Sequence, residues 1–470
     1  MKKVFSSLAA LSMILSLTAC GPKEESSTPA TPTSTTAGDS SSTPDDNKGG
    51  DKSVFNLWAF TDEVPKMVKK YAELNKDFGD KYEIKDTIIA TTNGEYQPAL
   101  DQALLAGGDE APDMYCAEAA FIVKYSQGDM SEYAATYDEL GIDTDNKVKE
   151  AKIAQYTVDL GSRDGKVVAL GYQATGGAFI YRRSIAKDVF GTDDYKAVAK
   201  EIGPGWDQFW KAADKLKAKG YGIISGDGDI WHAIENSSDK GWVVDGKLNI
   251  DPKREAFLDV SKLLNEKDYY NDTTDWQEGW FSDMRGEGKK GILGFFGPAW
   301  LINYSMAENC GDKKETEEHE GTWGDWAVCD SPVGFFWGGT WVIGNKNSKI
   351  KEDVGKVINW ITLDTTDDGL QYKWANGTLY GEGGTKDAVA SAAVMERSDG
   401  TVGMLGGQNM FDVFIPANEY ANGKCLTQYD ETINAKWRDQ VRMYAHGQKS
   451  KDDAIKDFKM TIKETLDLDS

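Results

Sequence analysis

Val54-Phe55-Asn56-Leu57-Trp58 runs straight into Ala59-Phe60-Thr61-Asp62-Glu63, and then Val64, Met67, Val68, Tyr71, Leu74 and Phe78 recur at helical spacing. The first five residues read as a strand, and the apolar set that follows falls on one helical face. Asp62 is placed to cap that helix, and Pro65 is tolerated in its first turn. The alternation continues outward. Ile84 to Ile89 reads as a strand, Gln97 to Leu105 as a helix halted by Gly107-Gly108, and Pro112 to Cys116 as a third short strand. This order predicts an α/β fold, a mostly parallel sheet with helices on its faces.

Further along, strands are predicted at Lys166 to Tyr172, Gly177 to Tyr181, Tyr221 to Ser225, Lys290 to Phe296, Trp326 to Val328 and Thr340 to Ile343. Helices are predicted from Trp206 to Lys217, Arg254 to Asn265, Ile350 to Leu363, Thr432 to Tyr444 and Asp452 to Leu466. The last starts on a capping box, with Asp453 three residues beyond Ser450. No internal repeat is visible.

Toward the start of the chain the pattern changes. Met1-Lys2-Lys3 precedes an apolar run from Val4 to Leu17, and at about fourteen residues that run is too short to span a bilayer stably. It ends in Leu17-Thr18-Ala19-Cys20-Gly21, which resembles a bacterial lipoprotein signal. That resemblance implies a signal peptide over 1–19, with Cys20 becoming the lipid-bearing first residue. Residues 20–52 are Ser, Thr, Pro, Gly and Asp with almost nothing apolar. They cannot bury a core and are expected to form a disordered tether. The expected location is the extracytoplasmic face of the cell membrane, with the lipid as the membrane attachment.

Net charge is −24, spread along the chain, which argues against nucleic acid as partner. The aromatic load is heavy for so polar a chain, so some rings are candidates for working surface. With Cys20 assigned to the lipid, Cys116, Cys310, Cys329 and Cys425 remain. Cys310 and Cys329 flank a polar Glu-rich excursion and could pair outside the cytosol. No zinc-ligand spacing is present, and neither a metal nor a cofactor is expected. Ser184-Ile185-Ala186-Lys187 lacks the companion motifs of acyl-transfer enzymes. His319-Glu320 lacks a second helical ligand. Asp227-Gly228-Asp229 does not complete a calcium loop.

Five pieces in order carry a resemblance. These are Gly107-Gly108-Asp109-Glu110-Ala111-Pro112-Asp113; Asp164-Gly165-Lys166-Val167; Tyr181-Arg182-Arg183-Ser184; Gly205-Trp206-Asp207-Gln208-Phe209; and Gly294-Phe295-Phe296-Gly297-Pro298-Ala299-Trp300. Together they resemble the extracytoplasmic solute-binding proteins of carbohydrate ABC importers, the family that includes maltose-binding protein. Arg182 departs from that family's usual Asn. The resemblance implies a two-lobe periplasmic-binding-protein-like fold (type II), with a hinge crossed three times and a ligand cleft between the lobes. The crossings are expected near Tyr172–Gly176, Asp330–Gly334 and Thr385–Ala390. One lobe would then comprise 53–173 and 333–387, the other 174–332 and 388–470. A monomer is expected, without catalysis, delivering its cargo to the permease transmembrane subunits.

A sugar offers C–H faces for aromatic rings and a rim of hydroxyls for polar groups. Candidate ligand contacts are therefore aromatics and carboxylates at strand ends. Trp58, Asp62 and Glu63 follow the first strand, and Glu118 follows the third. Trp231 follows the Gly226–Asp229 turn, with His232 read as a bystander. Trp300 lies in the Gly-Pro-Ala-Trp segment. Trp341, or Trp337, sits beside Gly338-Gly339, and Phe411 with Asp412 follows Gly406-Gly407. Trp210, Trp360, Trp374 and Trp437 lie in helical patterns and are read as packing. Several rings in series imply an oligosaccharide. Two rivals stand beside this reading. A surface glycoside hydrolase would pair Asp62 or Glu63 with Glu118, its carboxylates about 5–9 Å apart. A ligandless adhesive lipoprotein would bind no small molecule saturably.

Overall fold

The computed structural model describes residues 52–91, 94–311 and 321–469. The lipid-signal segment with Cys20, the expected tether up to Asp51, and His319-Glu320 lie outside the described residues.

Two sheets organise the molecule. The first has five strands in the order Tyr82–Ile88, Ser53–Ala59, Met114–Glu118, Thr340–Gly344, Ala169–Gly171. Its first three strands are parallel, and Thr340–Gly344 runs antiparallel to both its neighbours. The sheet is thus mixed rather than mostly parallel, because Thr340–Gly344 enters from the far side after an excursion of the chain. The second sheet is antiparallel, with Ala178–Arg182 between Gly294–Gly297 and Trp326–Cys329.

Local physics follows the apolar pattern. Val64, Met67, Val68 and Tyr71 are buried along the helix Glu63–Leu74. That helix ends earlier than the periodicity predicts. Asn75 breaks it, Leu74 is 49% exposed, and Phe78 is buried from a separate helix, Lys76–Lys81. Asp62 occupies the N-cap position, but its carboxylate pairs with Lys66 at 2.7 Å instead of capping. Ser450 does cap its helix, accepting from the Asp453 amide at 3.1 Å. The strand predicted from Tyr221 to Ser225 reduces to two isolated bridges, Gly222 to Ile292 and Ile224 to Tyr270.

Residues 172–177 lead from the first sheet to the second, and 330–339 lead back. The two passages lie side by side. The Gly177 amide donates to Phe335 at 2.8 Å, and the Trp337 amide to Thr175 at 3.1 Å. Gly177 is required here because an added Cβ would lie 2.0 Å from the Phe335 ring. A third stretch joins them, with Gln173 bridging Val389 and the Ala390 amide donating to Tyr172 at 2.9 Å. Ser391 still bonds Ala151, whereas Met404 accepts from the Gly324 amide beside the second sheet.

The helices Asp430–Ala445 and Lys451–Leu466 pack with Pro252–Lys267, where Trp437 meets Trp242 and Phe458 edge-on at 5.7 and 4.8 Å. Cys310 and Cys329, the pair that could have bridged, are free thiols. They are buried in different apolar clusters, and the Cys310 thiol points to the Met284 carbonyl at 3.7 Å.

Candidate functional site

The strand Met114–Glu118 ends where the returning passage 336–338 crosses it, and there the chain leaves a cavity of about 100 Å³. Glu118 lines one wall. His232, Glu235 and Asn236, from the helix Trp231–Asn236, line the opposite wall with Asp430 and Asn434. Phe336, Trp337 and Gly338 form the seam. Gly338 and Gly339 hold φ of +68° and +112°, a backbone that admits glycine readily and brings the turn close to the Glu118 carboxylate.

The cavity is acidic. Burial pushes the Glu118 carboxyl up to about 7, although it accepts the Ala120 amide at 2.7 Å; Glu431 and Glu235 add repulsion. Burial beside Glu235 likewise raises Asp430 to about 7. One Asp430 oxygen accepts from the Thr427 amide at 2.9 Å, and the other is buried without a partner. Burial also opposes Glu235, yet bonds from His232 and Asn434 and the nearby Arg254 hold it below its usual range.

An aromatic rank leads away from this cavity. His232 stacks on Trp337 at 4.9 Å, and Trp337 meets Trp300 edge-on at 4.8 Å. The Trp300 indole donates to the Trp337 carbonyl at 3.0 Å. Trp276 lies nearly parallel to Trp300, 6.1 Å away and 9° inclined, and Tyr304 stands edge-on to both. Exposure rises along the rank to 43% at Trp276 and 71% at Tyr304. Trp276 takes φ +66°, uncommon for a bulky residue. Its neighbour Asp275 is gripped by Arg438, both carboxylate oxygens at 2.8 Å.

Of the expected contacts, the structure brings Glu118 and Trp300 to this place, with Trp337 as the ring beside Gly338. Trp58 is half-buried at the end of its strand and packs against the neighbouring cluster with Tyr96 and Phe121. Asp62 is mostly exposed. Glu63 accepts a bond from the Tyr172 hydroxyl at the side-by-side passages, and burial raises its carboxyl. Trp231, Trp341 and Phe411, expected to face ligand, are each 1% exposed. Trp231 packs on Phe257 at 5.0 Å, Trp341 donates to the Thr157 carbonyl at 3.0 Å, and Phe411 sits under Gly400. These three are packing residues in this conformation. Asp229 spends both oxygens inside the fold, on the Ser225 and Gly226 amides and the Trp280 indole.

Sequence reasoning missed Trp276, Tyr304, Glu235, Asp430 and Asn434, and read His232 as a bystander. Trp276 had a usable signal: it lies outside any helical stripe, beside a carboxylate. Asp430 had none, since it opens a helix and looks like an ordinary N-terminal acid.

Two lobes joined by adjacent passages, with a polar and aromatic hollow at the join, define a binding protein of the two-lobe periplasmic type. Residues 60–366 match the family model for bacterial extracellular solute-binding proteins, so the chain belongs to that family, one of non-catalytic transport receptors. Solved structures agree on the fold. The galacto-N-biose-/lacto-N-biose I-binding protein of an ABC transporter from Bifidobacterium longum is 16% identical, with 90% of this chain and 100% of that one covered (TM-score 0.64). The sugar-binding protein MalE from Xanthomonas citri is 14% identical over 87% and 96% (TM-score 0.62). The GacH receptor of Streptomyces glaucescens is 16% identical over 90% and 100% (TM-score 0.61). No protein curated for function matches the chain in sequence.

Proposed function

We propose that this chain is the lipid-anchored substrate-binding protein of an ABC importer, capturing an oligosaccharide between its lobes and presenting it to a membrane permease. The observation that carries the reading is the rank Trp337–Trp300–Trp276 running out from the Glu118–Asp430 cavity. Flat rings cover the C–H faces of successive sugar units, and the Glu118 carboxylate takes hydroxyl donors. Related folds support the cargo class. The Bifidobacterium longum protein is solved with lacto-N-biose and the Streptomyces glaucescens receptor with acarbose. The Cys20 signal supports the anchor. Lobe closure would trap the ligand and form the surface a permease reads.

The test is intrinsic tryptophan fluorescence of the tag-free mature chain, titrated with a glycan panel. A saturable change with one oligosaccharide class, the glycan recovered intact, supports the reading. Folded protein that responds to no glycan overturns it and favours the ligandless adhesive lipoprotein. Radiolabelled palmitate incorporation, abolished by Cys20→Ala, tests the anchor.

A further inference from the structure

The cavity wall is chemically one-sided. Glu118, Glu235 and Asp430 line it, and no lysine or arginine does so among the described residues. Glu431, the next residue along the helix, adds a fourth carboxylate felt at Glu118. The opposing charges are few, and none of them lines the cavity. Arg254 lies behind Glu235 and Asp430 and donates to the Lys240 carbonyl at 2.9 Å. Its guanidinium also lies over the Trp242 ring, 4.6 Å away. His232 bonds Glu235 at 3.2 Å and stacks on Trp337. Arg438 is spent on Asp275, and Lys124 sits on the far side of Glu431. One oxygen of the fully buried Asp430, and Nε and Nη2 of Arg254, have no partner among the described residues.

Resting on the carbohydrate reading, we propose that this hollow is an anion filter: it accepts an uncharged or amine-bearing sugar unit and rejects uronic acids. A sugar hydroxyl or ammonium donates to the Glu118 carboxylate in the wall. A sugar carboxylate brings a like charge into an acidic hollow whose wall holds no lysine or arginine among the described residues. Like charges juxtaposed at a buried interface are strongly disfavoured. Discrimination therefore operates by repulsion as well as fit.

The experiment uses matched trisaccharides of the gluco, galacto and manno series in three forms: neutral, 2-amino and 6-carboxylate. Binding to the full mature chain is measured by calorimetry at pH 8. In whichever series binds, the neutral and amino forms are expected to exceed the uronate by at least about thirtyfold. Glu118→Gln, whose fold is checked by circular dichroism, should shrink that ratio at least threefold by raising uronate affinity. Asp430→Asn provides a second arm. A uronate bound within threefold of its neutral counterpart overturns the filter while leaving the carbohydrate reading intact. An unchanged ratio in folded Glu118→Gln also overturns it. Failure of all three forms in every series removes the carbohydrate reading, and the filter with it.

Discussion

The indole of Trp300 donates to the main-chain oxygen of Trp337 at 3.0 Å, tying the segment after the second sheet's edge strand to the passage that returns to the first sheet. That bond holds the Trp300 ring edge-on to Trp337, inclined 68°, beside the cavity. Trp300→Phe keeps a ring but loses the donor, and Trp300→Ala loses both. A buried hydrogen bond and an aromatic pair together contribute about 1.5–2.5 kcal/mol. Trp300→Ala is expected to weaken glycan binding roughly ten- to sixtyfold, and Trp300→Phe by less. Calorimetric titration of both variants checks the order.

Trp276 stands at the exposed end of the rank, parallel to Trp300 and 43% exposed. It meets Trp337 at 5.9 Å but does not itself line the Glu118 cavity. Trp276→Ala is therefore expected to cost longer oligosaccharides about tenfold in affinity while leaving disaccharides within twofold. Equal losses at every chain length would refute an outer subsite.

The fold was legible because its first hundred residues alternate cleanly between periods of two and 3.6, and the glycine-rich turns punctuate them. Mixed strand direction was not legible: Thr340–Gly344 looks like any buried strand, and its polarity depends on where the chain has been. The same limit governed the site. Glu118 and Trp300 lie at strand ends, where position along the chain predicts exposure to a cleft. Trp341 also borders a glycine pair, but alternation along its strand turns it onto the covered face, where Thr157 takes its N–H. Asp430 reaches the cavity only because the helix Asp430–Ala445 returns across more than three hundred residues to face Glu118.

Trp231, Trp341 and Phe411 separate stability from binding. Each is buried, so truncation opens a cavity costing about 3–5 kcal/mol. Trp341→Ala also removes one of two donors at the Thr157 carbonyl, which keeps the Gly161 amide at 3.1 Å. A lowered urea midpoint is expected in each case, with glycan affinity of the folded fraction within about threefold of the parent chain. An affinity loss without a stability loss would return these rings to the ligand site.

Four buried carboxylates give the protein an acid-shifted stability optimum. Burial raises Glu118, Asp229, Asp387 and Asp430 to about 7, with Glu235 adding repulsion at Asp430 and Glu63 at Asp387. In the unfolded chain these groups ionise near 4, so between roughly pH 4.5 and 7 the native state binds more protons than the unfolded one. Stability must then fall as pH rises through that window and level off above it. The opposite sign applies to Asp399, held down to about 2 chiefly by its bond from Lys386, and to Asp138, lowered chiefly by Lys166. Their contribution is present above about pH 4 and is lost as pH falls toward their native values. The two effects place the maximum near pH 5, with Tm lower by roughly 5 °C at pH 8. Scanning calorimetry across pH 3–9 checks the curve, and Glu118→Gln should flatten its alkaline limb. A maximum at pH 7 or above would mean that these carboxylates are already ionised in the native protein, paired with donors or cations beyond those described here.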